Sequence, residues 1–181
     1  MSFDVAFKQL SVLEGGYSDD PRDPGNWTGG AVNVGELKGS QCGISAAAYP
    51  KLDIKSLTPA QVKAIYLTDY WDKVKGDLLP DVVAIALFKE AVNLGVTGAT
   101  KAFQKSLRVD IDGVLGQISI GIATSQPPKI VLENFLTECA YEYTSMANFK
   151  IDGKGWLSRV IQTAVEAQLS STELAPNAIK G

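Results

Sequence analysis

Glu14, close to the N-terminus, is the residue best suited to catalytic chemistry. Phe3, Phe7 and Leu10 recur with Glu14 at steps of four, three and four residues, which places all four on one face of an amphipathic helix that Gly15-Gly16 would end. Burial and the negative end of the helix dipole would both raise the pKa of this carboxyl group. A carboxylic acid that stays protonated near neutral pH can serve as the general acid in glycoside cleavage. The alternative is a helix-ending glutamate that faces solvent.

A loop rich in Gly, Pro, Asp and Asn follows Glu14 and adds a second carboxyl group, Asp23, and a hydroxyl group, Thr28. Glycoside cleavage needs a second group that activates water or stabilises the cationic sugar. Asp23 could take that role and Thr28 could hold the water. A water-activating role requires about 6.5–9.5 Å between the two carboxyl groups. The alternative for Asp23 is a turn cap, because Asp23-Pro24-Gly25 is itself a turn sequence.

Three further side chains are candidates for contact with a sugar. Tyr17 and Trp27 lie in the same loop and could stack on sugar rings, although aromatic residues are more often part of a core. Asn93 lies near the end of an apolar helix, where it could hydrogen-bond an N-acetyl group or cap the helix. Asp110-Ile-Asp-Gly113 resembles the start of a calcium loop but lacks the glycine and glutamate spacing of that motif, so we expect a turn and no metal site.

Composition limits the classes of function. The chain has 181 residues, 45% of them hydrophobic and 20% charged, which suits one soluble domain. A net charge of −3 gives no basic surface for nucleic acid. The absence of histidine excludes Ser-His and Cys-His nucleophilic sites and His-ligated zinc, which leaves carboxylate chemistry with no cofactor.

The chain has no segment that predicts export or membrane insertion. The opening residues lack the basic and apolar regions of a signal peptide, and the longest apolar run, residues 82–88, has seven residues against about twenty for a bilayer span. We therefore expect synthesis in the cytoplasm, with Cys42 and Cys139 as free thiols.

Periodicity and capping residues predict a mainly α, α+β fold with about seven or eight helices. The apolar helix from Asp81 to just before Gly95 should be the buried central helix, with Lys89 and Glu90 approaching the surface. The glycine-rich stretch near residues 28–44 should form a small irregular or hairpin lobe. The other predicted helices are 3–14 with Ser2 as N-cap, 46–49, 58–76 with Thr58 as N-cap, 97–107, 117–125, 128–148 and 155–170, with turns at 110–113 and 152–155 and a frayed tail at 176–181.

Several motifs together resemble the glycoside hydrolase family 108 lysozymes. They span about residues 3–160 and are EGGYSDDPRDPGNWTGG from Glu14, GIS at 43–45, YLTDYW at 66–71, AVNLG at 91–95, FQKSLRVDIDGVLG at 103–116 and GKGWLSRV at 153–160. The resemblance implies a lysozyme-like fold with the catalytic acid at Glu14. The order of glutamate, aspartate and threonine in many phage endolysins extends the site to Asp23 and Thr28. One departure is Phe88-Lys89-Glu90, because the family often has an acidic residue directly after this phenylalanine.

By this resemblance the chain would be a muramidase that cleaves the β-1,4 bond between N-acetylmuramic acid and N-acetylglucosamine and lyses bacteria. We expect one domain over 1–175, with a catalytic half at 1–95 and a peptidoglycan-binding-like helical half at 96–175. It would be a monomer that reaches the periplasm with the help of a holin. The alternatives are a lytic transglycosylase with the same acid and a non-catalytic peptidoglycan-binding or phage structural protein.

Overall fold

A computed structural model describes residues 2–13 and 15–174, so Glu14 lies outside the described residues, as does the predicted frayed tail. The chain divides into two compact units. Within the described residues, the small unit comprises 7–13 and 15–66, and the helical unit comprises 2–6 and 67–174. The predictions of a single domain and of a boundary at residue 95 concern independent folding, and they stay predictions.

The fold is mainly helical with one small antiparallel sheet, which confirms the predicted α+β, lysozyme-like class. The two strands are β1 (Ser40–Gln41) and β2 (Ile44–Ser45), with Ser40 opposite Ser45 and Gln41 opposite Ile44. The α-helices of the described residues are α1 (Ser2–Leu13), α2 (Pro59–Tyr66), α3 (Asp81–Leu94), α4 (Val96–Leu107), α5 (Gln117–Ser125), α6 (Pro128–Thr144) and α7 (Phe149–Leu174).

Helix α3 is the core of the helical unit, as its apolar sequence predicts. Every residue from Val82 to Ala91 is buried, because α4, α6 and α7 all pack against this helix. An aromatic cluster covers its middle: the Phe88 ring lies 5.9 Å from that of Phe3 and 5.8 Å from that of Trp71, both nearly edge to face.

Lys89 and Glu90 were predicted to approach the surface, and this is wrong. Lys89 is 3% exposed and pairs with Glu166 of α7. Glu90 is fully buried and accepts a hydrogen bond of 2.9 Å from the hydroxyl group of Tyr143 on α6. The physical reason is that α4, α6 and α7 all pack against α3, so the polar residues Lys89 and Glu90 are covered together with the apolar ones.

Four predicted segments also differ from the helices and turns of the structure. The turn predicted at 152–155 lies inside α7, where Gly153 packs so closely on Phe149 that a Cβ atom would lie 2.6 Å from the ring. Helix α6 ends at Thr144 and not at 148. Residues 46–48 form a turn, and residues 46–49 contain no helix. The helix predicted over 58–76 is α-helical only to Tyr66, after which residues 67–71 form a π-helical turn.

The small unit contains more loop than regular structure. Thr58 and Gln61 form the predicted reciprocal cap of α2: the Thr58 backbone N–H donates to Gln61 Oε1 at 2.9 Å, and the Gln61 N–H donates to Thr58 Oγ1 at 3.3 Å. Tyr66 donates from its hydroxyl group to the Cys42 carbonyl at 2.7 Å and packs its ring 5.7 Å from Phe7. These contacts join α1 and α2 to the turn between β1 and β2.

Both cysteines are free thiols, as predicted, and burial raises the pKa of the Cys139 thiol far above its usual range. Within residues 2–13 and 15–174, no helix has the length and hydropathy that a membrane span requires.

Candidate functional site

The candidate site residues Tyr17, Asp23, Trp27 and Thr28 lie in the loop of the small unit that precedes β1. Backbone hydrogen bonds fold this loop on itself: Ser18 and Ser40 exchange two bonds of 2.8 Å, and Trp27 forms a bridge with Leu37. A loop held at several points can present side chains in a fixed arrangement, which the sequence alone could only suggest.

Asn26 is the buried centre of this loop. Its backbone carbonyl accepts from the backbone N–H groups of Lys38 and Gly39, both at 3.0 Å. Its side-chain Nδ2 donates to the backbone carbonyl of Asp20 at 3.1 Å. Asn26 is fully buried and joins the start of the loop to its return. Sequence reasoning missed this residue, because an asparagine between Pro-Gly and Trp resembles any other turn residue.

Asp23 is exposed and caps the 3₁₀ turn of Pro24–Asn26. Its Oδ1 accepts from the Gly25 N–H at 2.8 Å, so the capping alternative raised by the sequence is present in the structure. Oδ2 accepts no hydrogen bond from the described residues. Asp23 therefore has a structural contact on one oxygen and an exposed second oxygen that could face a substrate or water.

Thr28 is half-buried, and its hydroxyl oxygen accepts from the Glu36 N–H at 2.8 Å. The returning chain approaches closely at Gly35, where φ is +80° and a Cβ atom would lie 2.3 Å from Thr28 Oγ1. The hydroxyl proton of Thr28 has no acceptor among the described residues. Thr28 thus has a fixed orientation and can still donate to a water molecule or a sugar oxygen.

The two aromatic candidates are also held by the loop. Trp27 is half-buried and donates from Nε1 to the Pro21 carbonyl at 2.9 Å. Tyr17 is 36% exposed, its ring packs on Gly39, and the Lys55 ammonium lies 5.5 Å from the ring centroid. Tyr17 is therefore the more exposed of the two aromatic side chains, and the Trp27 indole N–H is already used within the loop.

The charges on this loop are mostly acidic. Arg22 pairs with Asp20 at 2.7 Å and, through hydrogen bonds, holds the pKa of that carboxyl at about 2. Asp20 is therefore an ionised partner of Arg22 and unsuited to donate a proton. In the part of the chain that the structure describes, no cluster of three or more Cys, Asp or Glu side chains could hold a metal ion.

Asn93 lies in the helical unit and not in this loop. It is exposed in the last turn of α3, one residue before Leu94 ends the helix. Both interpretations of Asn93 stay open, as does the role of Glu14, which lies outside the described residues.

Comparison with known proteins relates the chain to a family model and to solved structures. Residues 7–95 match the family model Glycosyl hydrolase 108, a segment that contains Glu14, Asp23, Thr28 and Asn93. The chain is also similar to a solved structure of SagA from Brucella abortus, at 29% identity and a TM-score of 0.80, with 98% of each chain covered. No curated protein sequence matches the chain.

These matches support a glycoside hydrolase. They also support peptidoglycan as the substrate in general, in agreement with the motifs from Glu14 to Gly95. The family match ends at residue 95, so the peptidoglycan-binding region inferred for the C-terminal half of the hydrolase stays a prediction.

Proposed function

We propose that the chain is a muramidase that hydrolyses the β-1,4 bond between N-acetylmuramic acid and N-acetylglucosamine, with Glu14 as the general acid. The observation that carries the proposal is the match of residues 7–95 to Glycosyl hydrolase 108. Two features of the sequence support it: Glu14 comes seven residues after Phe7 and four after Leu10, a spacing typical of one helical face, and the chain has no histidine that could act instead.

In this mechanism, Glu14 protonates the glycosidic oxygen as the bond to the anomeric carbon breaks. Asp23 has an exposed second carboxylate oxygen that would stabilise the positive sugar or accept a proton from the attacking water. Thr28 would orient that water, because its oxygen is held by the Glu36 N–H and its hydroxyl proton is available. Tyr17 and Trp27 would bind sugar rings by stacking, and Asn93 would bind an N-acetyl group.

The biological setting is part of the same proposal. The enzyme would be made in the cytoplasm of a bacterial host, pass the inner membrane with the help of a holin, and lyse the cell from the periplasm. It would act as a monomer on glycan strands, without a cofactor.

Two alternatives predict other outcomes. A lytic transglycosylase would use the same acid but close the muramic sugar onto its own 6-hydroxyl group, without water. A non-catalytic wall-binding or structural protein would bind peptidoglycan without releasing any fragment, and Glu14 would only end its helix.

Zymography on purified peptidoglycan separates an enzyme from a binding protein. We expect a clearing band for the wild type and none for a folded Glu14→Gln variant, because the amide keeps the shape of the side chain but cannot donate an acidic proton. Glu133→Gln is the matched control, since Glu133 is an exposed glutamate of α6 outside the proposed site. Equal clearing by the wild type and Glu14→Gln would exclude Glu14 as the acid.

A further inference from the structure

A polar cavity of about 380 Å³ lies in the helical unit, on the side where α4 ends against α6. The last turn of α4 supplies Lys105, Arg108 caps the end of that helix, Gln126 follows α5, and α6 contributes Asn134 and Glu138. The proposed glycosidase mechanism uses none of these residues. A volume of this size suits a ligand about as large as an amino acid.

The charges in the cavity are unequally paired. Lys105 contacts both Glu138 and Glu142 at 3.2 Å, and these hydrogen bonds raise the pKa of Lys105, so its ammonium stays charged and compensated. Arg108 has no ion pair or side-chain hydrogen bond among the described residues. Arg108 is therefore the cation of the cavity that can bind an anion.

Two amides and one carboxylate oxygen are also available. Gln126 and Asn134 make no side-chain hydrogen bond within the described residues. Glu138 contacts Lys105 through Oε2 only, so its other oxygen can accept from a ligand. The cavity thus combines an unpaired guanidinium, two donors that suit a carboxylate, and an acceptor that suits an ammonium group.

We propose that this cavity binds the zwitterionic end of an amino acid or peptide. Arg108 and the amides of Gln126 and Asn134 hold the carboxylate, and Glu138 receives the ammonium. The same chemistry occurs in free amino acids and in those cell-wall stem peptides that contain diaminopimelate, because the side chain of that residue ends in both an ammonium and a carboxylate group. The site is independent of the glycosidic reaction and would stand if the chain were not a muramidase.

Titration of ¹⁵N-labelled protein with D-alanine, followed by amide chemical shifts, tests the site. We expect localised shifts at Arg108, Gln126 and Asn134. D-Alaninamide, which lacks the carboxylate, and N-acetyl-D-alanine, which lacks the ammonium, should each bind at least about tenfold more weakly, because each loses a charge-assisted hydrogen bond. A wall stem tripeptide that binds more tightly than D-alanine identifies the wall as the source, and one that binds no more tightly identifies free amino acids. Both results support the site.

Variants assign the binding to the named side chains. Arg108→Gln should weaken D-alanine binding at least about tenfold with an unchanged fold, judged by the remaining amide shifts. Lys129→Gln is the matched control: it removes one positive charge from α6 outside the cavity and should change binding less than about twofold. The absence of localised shifts at about 50 mM D-alanine, or equal losses in Arg108→Gln and Lys129→Gln, overturns the proposal.

Discussion

Replacing Glu90 by glutamine should stabilise the protein at neutral and alkaline pH. Glu90 is fully buried between α3, α6 and α7, and burial raises the pKa of its carboxyl group. This rise in pKa is offset only in part by the hydrogen bond from Tyr143, the charge of Lys89, and the contacts with Thr163 and Arg159. Glutamine keeps the acceptor for Tyr143 and cannot ionise, so the variant isolates the effect of the buried charge.

The direction follows from proton linkage. A carboxyl group whose folded pKa is raised contributes stability that is fully present below its ordinary value of 4.5 and is lost as the pH rises through the folded pKa. In addition, Glu90 Oε1 has no hydrogen-bond partner of normal geometry among the described residues. Glutamine would leave an unpartnered but uncharged polar group there, so the variant removes only the cost of ionisation, for which we take the scale of a buried polar group without a partner, about 1–3 kcal/mol. For a chain of this length, 1 kcal/mol shifts the melting temperature by about 2–4 °C.

Thermal unfolding of the wild type and Glu90→Gln between pH 4 and pH 9 measures this effect. We expect similar melting temperatures near pH 4 and an advantage of about 2–12 °C for Glu90→Gln at pH 8. Glu133→Gln, an exposed change on α6, should stay close to the wild type throughout. A Glu90→Gln variant less stable than the wild type at pH 8 would refute the reasoning, because it would show that Glu90 is ionised and paired with Lys89 or Arg159.

Three other changes test the proposed site and the fold. Asp23→Asn should lower turnover at least about 10²-fold without changing the melting temperature, because its amide oxygen can still cap Gly25. Asp23→Ala should in addition lose about 1 kcal/mol of stability. Normal turnover in Asp23→Asn would make Asp23 a structural cap. Thr28→Val should lose about 1 kcal/mol of stability and most of its activity, because the Glu36 N–H loses its acceptor. Thr28→Ser retains the hydroxyl group and should keep both stability and activity. Equal behaviour of the two variants would contradict the role of the hydroxyl group. A fragment of residues 1–95 should be insoluble or molten, because it lacks the helices α4, α6 and α7 that cover α3. A soluble fragment that cleaves peptidoglycan would show that the C-terminal half is an accessory module.

The sequence predicted those elements whose signals are local. The Thr58–Gln61 cap, the start of α3 after Pro80 and the ends of α5 are set by residues within one turn, so pattern and capping rules locate them. Gly153 shows where local rules fail. Glycine usually weakens a helix by about 1 kcal/mol, but here its missing Cβ lets the Phe149 ring pack against α7, so a predicted turn is helix.

The burial of Glu90 and the contacts of the candidate loop were beyond sequence reasoning for a different reason. Glu90 is covered by Tyr143 and Thr163, residues 53 and 73 positions later in the chain, and periodicity within α3 contains no information about them. Asp23 and Thr28 were selected for their chemical type. Their hydrogen bonds to Gly25 and Glu36 depend on how the loop returns, which propensities do not specify.

Mass spectrometry of the muropeptides released from purified peptidoglycan tests the central claim most directly. The muramidase proposal predicts fragments that end in a reducing N-acetylmuramic acid, one water heavier than the anhydro form, and no fragments from a folded Glu14→Gln variant. Anhydro-muramic ends, reducing N-acetylglucosamine ends, or unchanged release by Glu14→Gln would contradict it.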